Sequence, residues 1–179
     1  MKTYRSYSSE ETKLIGARLA RLTLRPVRRA HGRQGFRLSP TECLQDECAL
    51  IPRQARDKCS LIFALKGDLG SGKTTFTQGF LRGLGVRARV NSPTFVLMKR
   101  FRLKNKRFKN VYHLDCYRVK RPKELLSLGL KGIFDDPKNL VLIEWPERIS
   151  KILPRGILRI AFRHGKKESE RLILSNGLI

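Results

Sequence analysis

The chain has 179 residues, 40% of them hydrophobic, with 39 Lys plus Arg against 15 Asp plus Glu, a formal net charge of +24. That length fits one domain with its own core, and no apolar run approaches the roughly 20 residues of a membrane span. The opening Met1–Ser6 lacks the apolar stretch of a signal peptide. The four cysteines (Cys43, Cys48, Cys59, Cys116) are too few and too irregular for a disulfide framework, so they read as reduced thiols of a cytoplasmic protein. A charge of +24 favours polyanionic partners through counterion release; a proteome biased toward basic residues is the competing explanation.

In chain order, Ser8 followed three residues later by Glu11 makes a capping box. Ile15, Leu19 and Leu22 continue at helical spacing, which predicts an amphipathic helix of about 14 residues. From Thr23 to Lys58 neither a helical nor a strand period is sustained. The segment carries Arg25, Arg28, Arg29, Arg33 and Arg37 and reads as a mobile basic insertion of about 23–58 within a single 1–179 domain. Cys43, Cys48, Cys59 and His31 match no standard zinc spacing.

Leu61–Leu65 is an apolar run of strand length, and Thr74 to Leu84 reads as a helix stopped by Gly85. Between them lies Gly67-Asp68-Leu69-Gly70-Ser71-Gly72-Lys73-Thr74-Thr75, which contains Gly-x4-Gly-Lys-Thr, the phosphate-cradling P-loop pattern. Glycines let the backbone curl until successive N–H groups point into one anion-sized hollow, and the following helix adds the positive end of its dipole. Lys73 is then placed to reach the β- and γ-phosphates of a nucleotide, and the Thr74 hydroxyl to ligate Mg²⁺.

Val90 to Phe95 is a polar turn entering a strand. Phe95–Leu103 and Phe108–Leu114 read as a β-hairpin turned near Asn105. Seven of the eleven residues from Lys99 to Lys109 are basic, so this tip is either a solvated turn or an RNA-backbone contact through residues such as Lys104, Lys106 and Arg107. Phe101 and Phe108 add base stacking if they stand on the exposed face, whereas alternation equally allows them to face the core. The second hairpin strand ends in Asp115. Pro122 to Leu130 reads as a short helix stopped around Gly129. Leu140–Ile143 is a buried strand followed at once by Glu144 and Trp145, as in the second half of a P-loop ATPase, where a strand-end acid helps hold Mg²⁺ beside the P-loop strand. Ile157–Phe162 and Arg171–Leu174 close the chain as a second hairpin. No internal repeat is visible. The fold class expected is a three-layer α/β P-loop NTPase fold with a mixed, mostly parallel central sheet and β-hairpins.

Together these residues resemble the TsaE family, P-loop ATPases of bacterial tRNA threonylcarbamoyladenosine biosynthesis. The matching pieces are Ser9-Glu10-Glu11-Thr12 with Gly16, the 67–75 loop, and Ser92-Pro93-Thr94-Phe95. His113-x-Asp115-x-Tyr117-Arg118, Glu124-Leu125-Leu126-x-x-Gly129 and Ile143-Glu144-Trp145-Pro146-Glu147 follow in the family's order. The resemblance implies an ATP hydrolase, stimulated by docking on the TsaB–TsaD complex, which modifies N6 of adenosine 37. It implies ATP and Mg²⁺ as cofactors, with tRNA met indirectly through the partner complex, the basic hairpin 99–109 being the candidate contact. By position, Lys73 binds phosphate, Thr74 and Glu144 hold Mg²⁺, and Asp115 orients the metal shell or the attacking water. Asp68, Leu69, Gly70, Ser71, Gly72 and Thr75 line the nucleotide, Thr94 lies in a switch-like segment near the γ-phosphate, and Trp145, Thr12 and Arg171 stand beside the nucleotide. The 23–58 insertion departs from the family, which passes from first helix to P-loop strand within about ten residues. Two other readings stay open: a P-loop kinase of small molecules, for which that arginine-rich insertion would supply a lid, and a basic RNA-binding protein with a vestigial P-loop.

Overall fold

A computed structural model of the chain describes residues 2–24, 59–88 and 97–175. Most of the basic insertion, with Cys43, Cys48 and His31, and the whole Ser92–Phe95 segment lie outside these residues. Seven strands form one sheet: β1 (Lys2–Ser6), β2 (Leu61–Gly67), β3 (Met98–Arg102), β4 (Asn110–Asp115), β5 (Asn139–Glu144), β6 (Leu158–His164) and β7 (Arg171–Ser175), in the order β1-β7-β6-β2-β5-β4-β3. The central strands β6, β2, β5 and β4 pair in parallel; β7 and β1 at one edge and β3 at the other are added antiparallel. Both expected hairpins are present as β3–β4 and β6–β7.

The helices are α1 (Ser9–Leu24), α2 (Lys73–Gly83), α3 (Pro122–Ser127) and α4 (Leu130–Asp135), with a 3₁₀ segment over Pro146–Ile152. Strand alternation divides them between the two faces of the sheet. Phe63, Leu65, Leu140, Leu142, Ile160 and Phe162 face α1 and α2, meeting Leu19, Phe76 and Phe80. Ile62, Tyr112, Leu114, Val141 and Ile143 face the other way, onto Leu125, Leu130, Phe134 and Ile149. The parallel strands β2 and β5 are therefore apolar on both sides, as strands covered by helices on each face must be.

Ser8 Oγ accepts from the Glu11 N–H at 3.1 Å, and the Glu11 carboxylate accepts from the Tyr7 N–H at 2.7 Å, so the capping box forms one residue further out than the simple pattern. The helix it starts runs 16 residues, to Leu24, which moves the insertion's first boundary past Thr23. Two elements were not expected. β1 forms from the polar opening residues by pairing with β7. Gly129, at φ 78°, ends one short helix and directly caps α4. Phe108 is buried and Phe101 packs on the core, so of the two placements the core one holds.

Helices α1 and α2 lie unusually close. A Cβ placed on Gly16 would stand 2.3 Å from the Phe76 carbonyl oxygen, and one on Gly79 would stand 2.0 Å from that of Lys13. This contact holds the start of α1 against the start of α2, where the candidate site is built.

Candidate functional site at the glycine loop

The loop leaves the C-terminal end of β2, in the middle of the parallel strands, and enters α2 at Gly72. Gly72 sits in the left-handed region (φ 97°) as the residue before the helix, a conformation costly for any residue with a Cβ. At Gly67 a Cβ would meet the Phe162 carbonyl at 2.5 Å and Ser71 Oγ at 2.8 Å. The sequence pattern thus has a steric basis at both ends.

Lys73, the first residue of α2, is buried, and its Nζ donates to the carbonyls of Gly67 and Asp68, each at 2.7 Å. It also lies 4.0 Å above the centre of the Trp145 ring. Burial holds this ammonium below the ordinary lysine range, against the attraction of Glu144, Glu147, Asp115 and Asp68. The ammonium is thus held against its own loop by two carbonyls, which an entering anion would have to replace.

Beside it, Thr74 Oγ1 donates to Glu144 Oε2 at 2.8 Å. The other carboxylate oxygen, Oε1, accepts from His113 Nε2 at 2.8 Å, with both side chains buried. Glu144 ends β5 and Asp115 ends β4, and the two are register partners in neighbouring parallel strands, so the pleat sends both acids to the same face as Thr74. Asp115 Oδ1 accepts from the Tyr117 N–H at 3.1 Å. The Tyr117 ring lies 4.9 Å from that of Trp145. Trp145 adopts φ 59° and ψ 51°, a strained conformation for a residue with a bulky side chain, as its N–H donates to Leu65 O at 3.3 Å. A cleft of about 280 Å³ opens among Lys73, Thr74, Asp115, Tyr117, Glu144 and Trp145.

The remaining expected residues support the loop. Arg171 Nε donates to Gly70 O at 3.1 Å, and His164 Nε2 to Leu69 O at 3.2 Å, so the β6–β7 end braces the loop from the side. The Thr12 hydroxyl bonds Ser6 Oγ (2.7 Å) and Ser8 O (3.1 Å), while its methyl stands 3.6 Å from where a Gly72 Cβ would lie. Asp68 O also accepts from the Ser71 N–H at 3.2 Å, and Gly70, Leu69 and Thr75 border the cleft. Thr94 lies outside the described residues. Roles for His113, Tyr117 and His164 were not read from the sequence. Only strand parity offered a hint for His113, since it sits two residues before Asp115 and so shares its face.

The oxygen donors of Thr74, Glu144 and Asp115 suit a hard cation such as Mg²⁺. Among the described residues no cluster of three His, Cys, Asp or Glu side chains could hold a metal by itself.

The fold and site define an α/β protein in which a glycine loop between strand and helix faces two strand-end carboxylates. The profile of the family described as "Threonylcarbamoyl adenosine biosynthesis protein TsaE" matches residues 7–173, and the chain belongs to the TsaE family. It is 42% identical over 110 residues to the "tRNA threonylcarbamoyladenosine biosynthesis protein TsaE" of Bacillus subtilis, covering 61% of this chain and 66% of that protein. It is 40% identical over 100 residues to the protein of that name from Haemophilus influenzae, covering 56% and 60%. The matches thus span less than two thirds of these relatives' length. Over 99% of this chain and 86% of the other, the fold is similar to a structure titled "Crystal structure of Bacillus subtilus YdiB", with a TM-score of 0.61 and 27% identity.

Proposed function

We propose that the chain is a P-loop ATPase that uses Mg²⁺-ATP and serves tRNA threonylcarbamoyladenosine biosynthesis in the cytoplasm, working with the TsaB–TsaD complex. The observation that carries this reading is the convergence of the Lys73 ammonium, the Thr74 hydroxyl and the Glu144 and Asp115 carboxylates at the mouth of the glycine loop. Membership in the TsaE family supports the pathway and its partners.

In this mechanism the loop N–H groups from Asp68 to Thr75 and the start of α2 donate to the phosphate oxygens. Lys73 leaves the Gly67 and Asp68 carbonyls for a phosphate oxygen, exchanging neutral acceptors for a charged one, so that donor and acceptor carry opposite full charges. Trp145 flanks the nucleotide, with Tyr117 packed on its ring. Thr74 and Glu144 would hold Mg²⁺, which when bound neutralises charge on the β- and γ-phosphates. His113 fixes one oxygen of Glu144 and leaves the other for Thr74 and the cation. Asp115 orients the attacking water from the neighbouring strand end. The family resemblance alone assigns Thr94 to the γ-phosphate side, and Thr12 and Arg171 hold the loop's shape. Phosphoryl transfer of this kind is positioning and electrostatics rather than covalent chemistry.

Replacing Glu144 or Asp115 by Ala tests the division of labour. Both variants should still bind ATP, yet release phosphate at least 100-fold more slowly with TsaB–TsaD present, the usual scale for one preorganised electrostatic contact. Turnover near the wild-type rate in both would remove these acids from the mechanism.

A further inference from the structure

A second concave surface lies at the opposite end of α2. This cavity of about 670 Å³ is formed by the turn after α2 (Leu84–Ala88) and by residues 100–104 of β3 and its extension. Its apolar floor contains Leu84, Val86, Phe101 and Leu103, which pack on the core. Its rim is Arg87, Arg100, Arg102 and Lys104, all exposed. The alternation has a plain cause: β3 is the last strand of the sheet, so every second side chain faces inward and the others stand in solvent. No carboxylate lines the cavity, and among the described residues none of the four cations is in an ion pair. Four unneutralised charges around one hollow raise a positive potential that no internal contact explains.

This surface is separate from the glycine loop. The 11 residues of α2 place it about 16 Å from Lys73, at about 1.5 Å per residue. The β3 register agrees: Met98 lies opposite Leu114, near Asp115, whereas Arg102 lies opposite Asn110, at the far end of the strand. It also differs from the hairpin tip expected from the sequence. Arg107 donates to Thr23 O and its guanidinium lies 5.0 Å from the Phe108 ring, so that arginine is committed to tying the hairpin to α1.

We infer that this groove is an RNA-backbone site, taking the phosphodiester chain of a tRNA along the outer face of β3. Arg100 and Arg102 stand two residues apart on β3, about 6.6–6.8 Å along an extended strand, and Lys104 follows just beyond its end, so the three meet successive backbone phosphates rather than one isolated anion. Arg87 closes the opposite wall. The contact carries no base readout; it orients the nucleic acid and adds salt-dependent affinity. The choice of RNA as the polyanion rests on the tRNA-modification reading above.

Fluorescence anisotropy of labelled tRNA against the full chain, across a salt series, tests the site. The compared variants replace Arg87, Arg100, Arg102 and Lys104 by Ser, or Lys123, Lys131, Lys151 and Arg155 by Ser, an equal charge loss at exposed positions elsewhere. The groove variant should lose about three in log–log salt slope, at roughly 0.7–0.9 per phosphate contact. Relative to wild type, that narrows the affinity difference about 60-fold between 50 and 200 mM salt, while the control variant keeps the wild-type slope. An unchanged slope in the groove variant, or equal losses in both, overturns the site. Displacement of tRNA by polyglutamate as readily as by unlabelled RNA overturns the assignment to nucleic acid. ATP titration of the same proteins separates the two readings: a wild-type chain that fails to bind ATP contradicts the proposed ATPase whatever the salt slope, and the groove variant should bind ATP as wild type does, because charges beyond about 10 Å are largely screened.

Discussion

Replacing Gly79 by Ala examines how the packing of two helices maintains the site. An added Cβ would stand 2.0 Å from Lys13 O and 2.5 Å from Lys13 C, both backbone atoms that cannot rotate aside. Ordinary contact begins near 3.4 Å, so α1 and α2 must part by about 1.4 Å along that line. Overpacking of this kind costs about 1–3 kcal/mol, offset by about 1 kcal/mol of improved helix propensity, for a net loss reaching about 2 kcal/mol. For a chain of this size that lowers the melting temperature by about 4–8 °C. Gly132, inside α4, has nothing within 4 Å of its added Cβ, so Gly132→Ala receives the propensity gain alone and stabilises by about 0.5–1 kcal/mol. Because Lys13 adjoins Thr12, which packs on Gly72, the Gly79 variant should also bind ATP more weakly. Thermal melts and nucleotide titrations of both variants check this. A Gly79→Ala chain that melts at or above the wild-type temperature would refute the close-packing argument.

His113→Ala leaves a buried oxygen of Glu144 without its donor, a loss of about 1–3 kcal/mol. We expect kcat for ATP hydrolysis to fall while KM stays near wild type, and His113→Gln to restore part of the rate; equal kcat per folded molecule in the Ala variant would reduce His113 to a packing residue. Cys116 is pushed up to about 12 by burial, with Asp115, Glu144 and Glu147 adding to the effect. Iodoacetamide at pH 8 followed by peptide mapping should therefore find Cys116 unmodified until the chain is denatured, and alkylation at the denatured rate would contradict the burial of that strand end.

What the sequence made readable was local. The Leu61–Leu65 run, the glycine spacing and the apolar strands ending in Asp115 and Glu144 each carry their signal within about ten residues, and the structure places each where that signal implied. β1 escaped because Lys2-Thr3-Tyr4-Arg5-Ser6 has no apolar alternation; only the edge of β7 makes it a strand. α4 escaped because six residues are too few for a helical period, and because Gly129 serves as a stop and a start at once. The link from His113 to Glu144 spans 31 positions and that from Arg107 to Thr23 spans 84, so neither leaves a pattern in the chain. The same long-range contact narrows the 99–109 tip: Arg107 is tied to Thr23 O, whereas Arg100, Arg102, Lys104 and Lys106 stand exposed. Strand parity separates Arg100, Arg102 and Lys104 from the residues that bind the hairpin to its own fold.

The central claim is that the glycine loop binds Mg²⁺-ATP through Lys73, and calorimetric titration of ATP into the wild-type chain and Lys73→Ala tests it most directly. Removing a buried cation that makes charge-assisted hydrogen bonds to phosphate, at about 1.5–3 kcal/mol each, should weaken binding at least tenfold. Affinity should also depend on Mg²⁺ in the wild type. Saturable Mg²⁺-dependent binding that Lys73→Ala weakens at least about tenfold is the result the account predicts. Equal ATP affinity in the two proteins would contradict it.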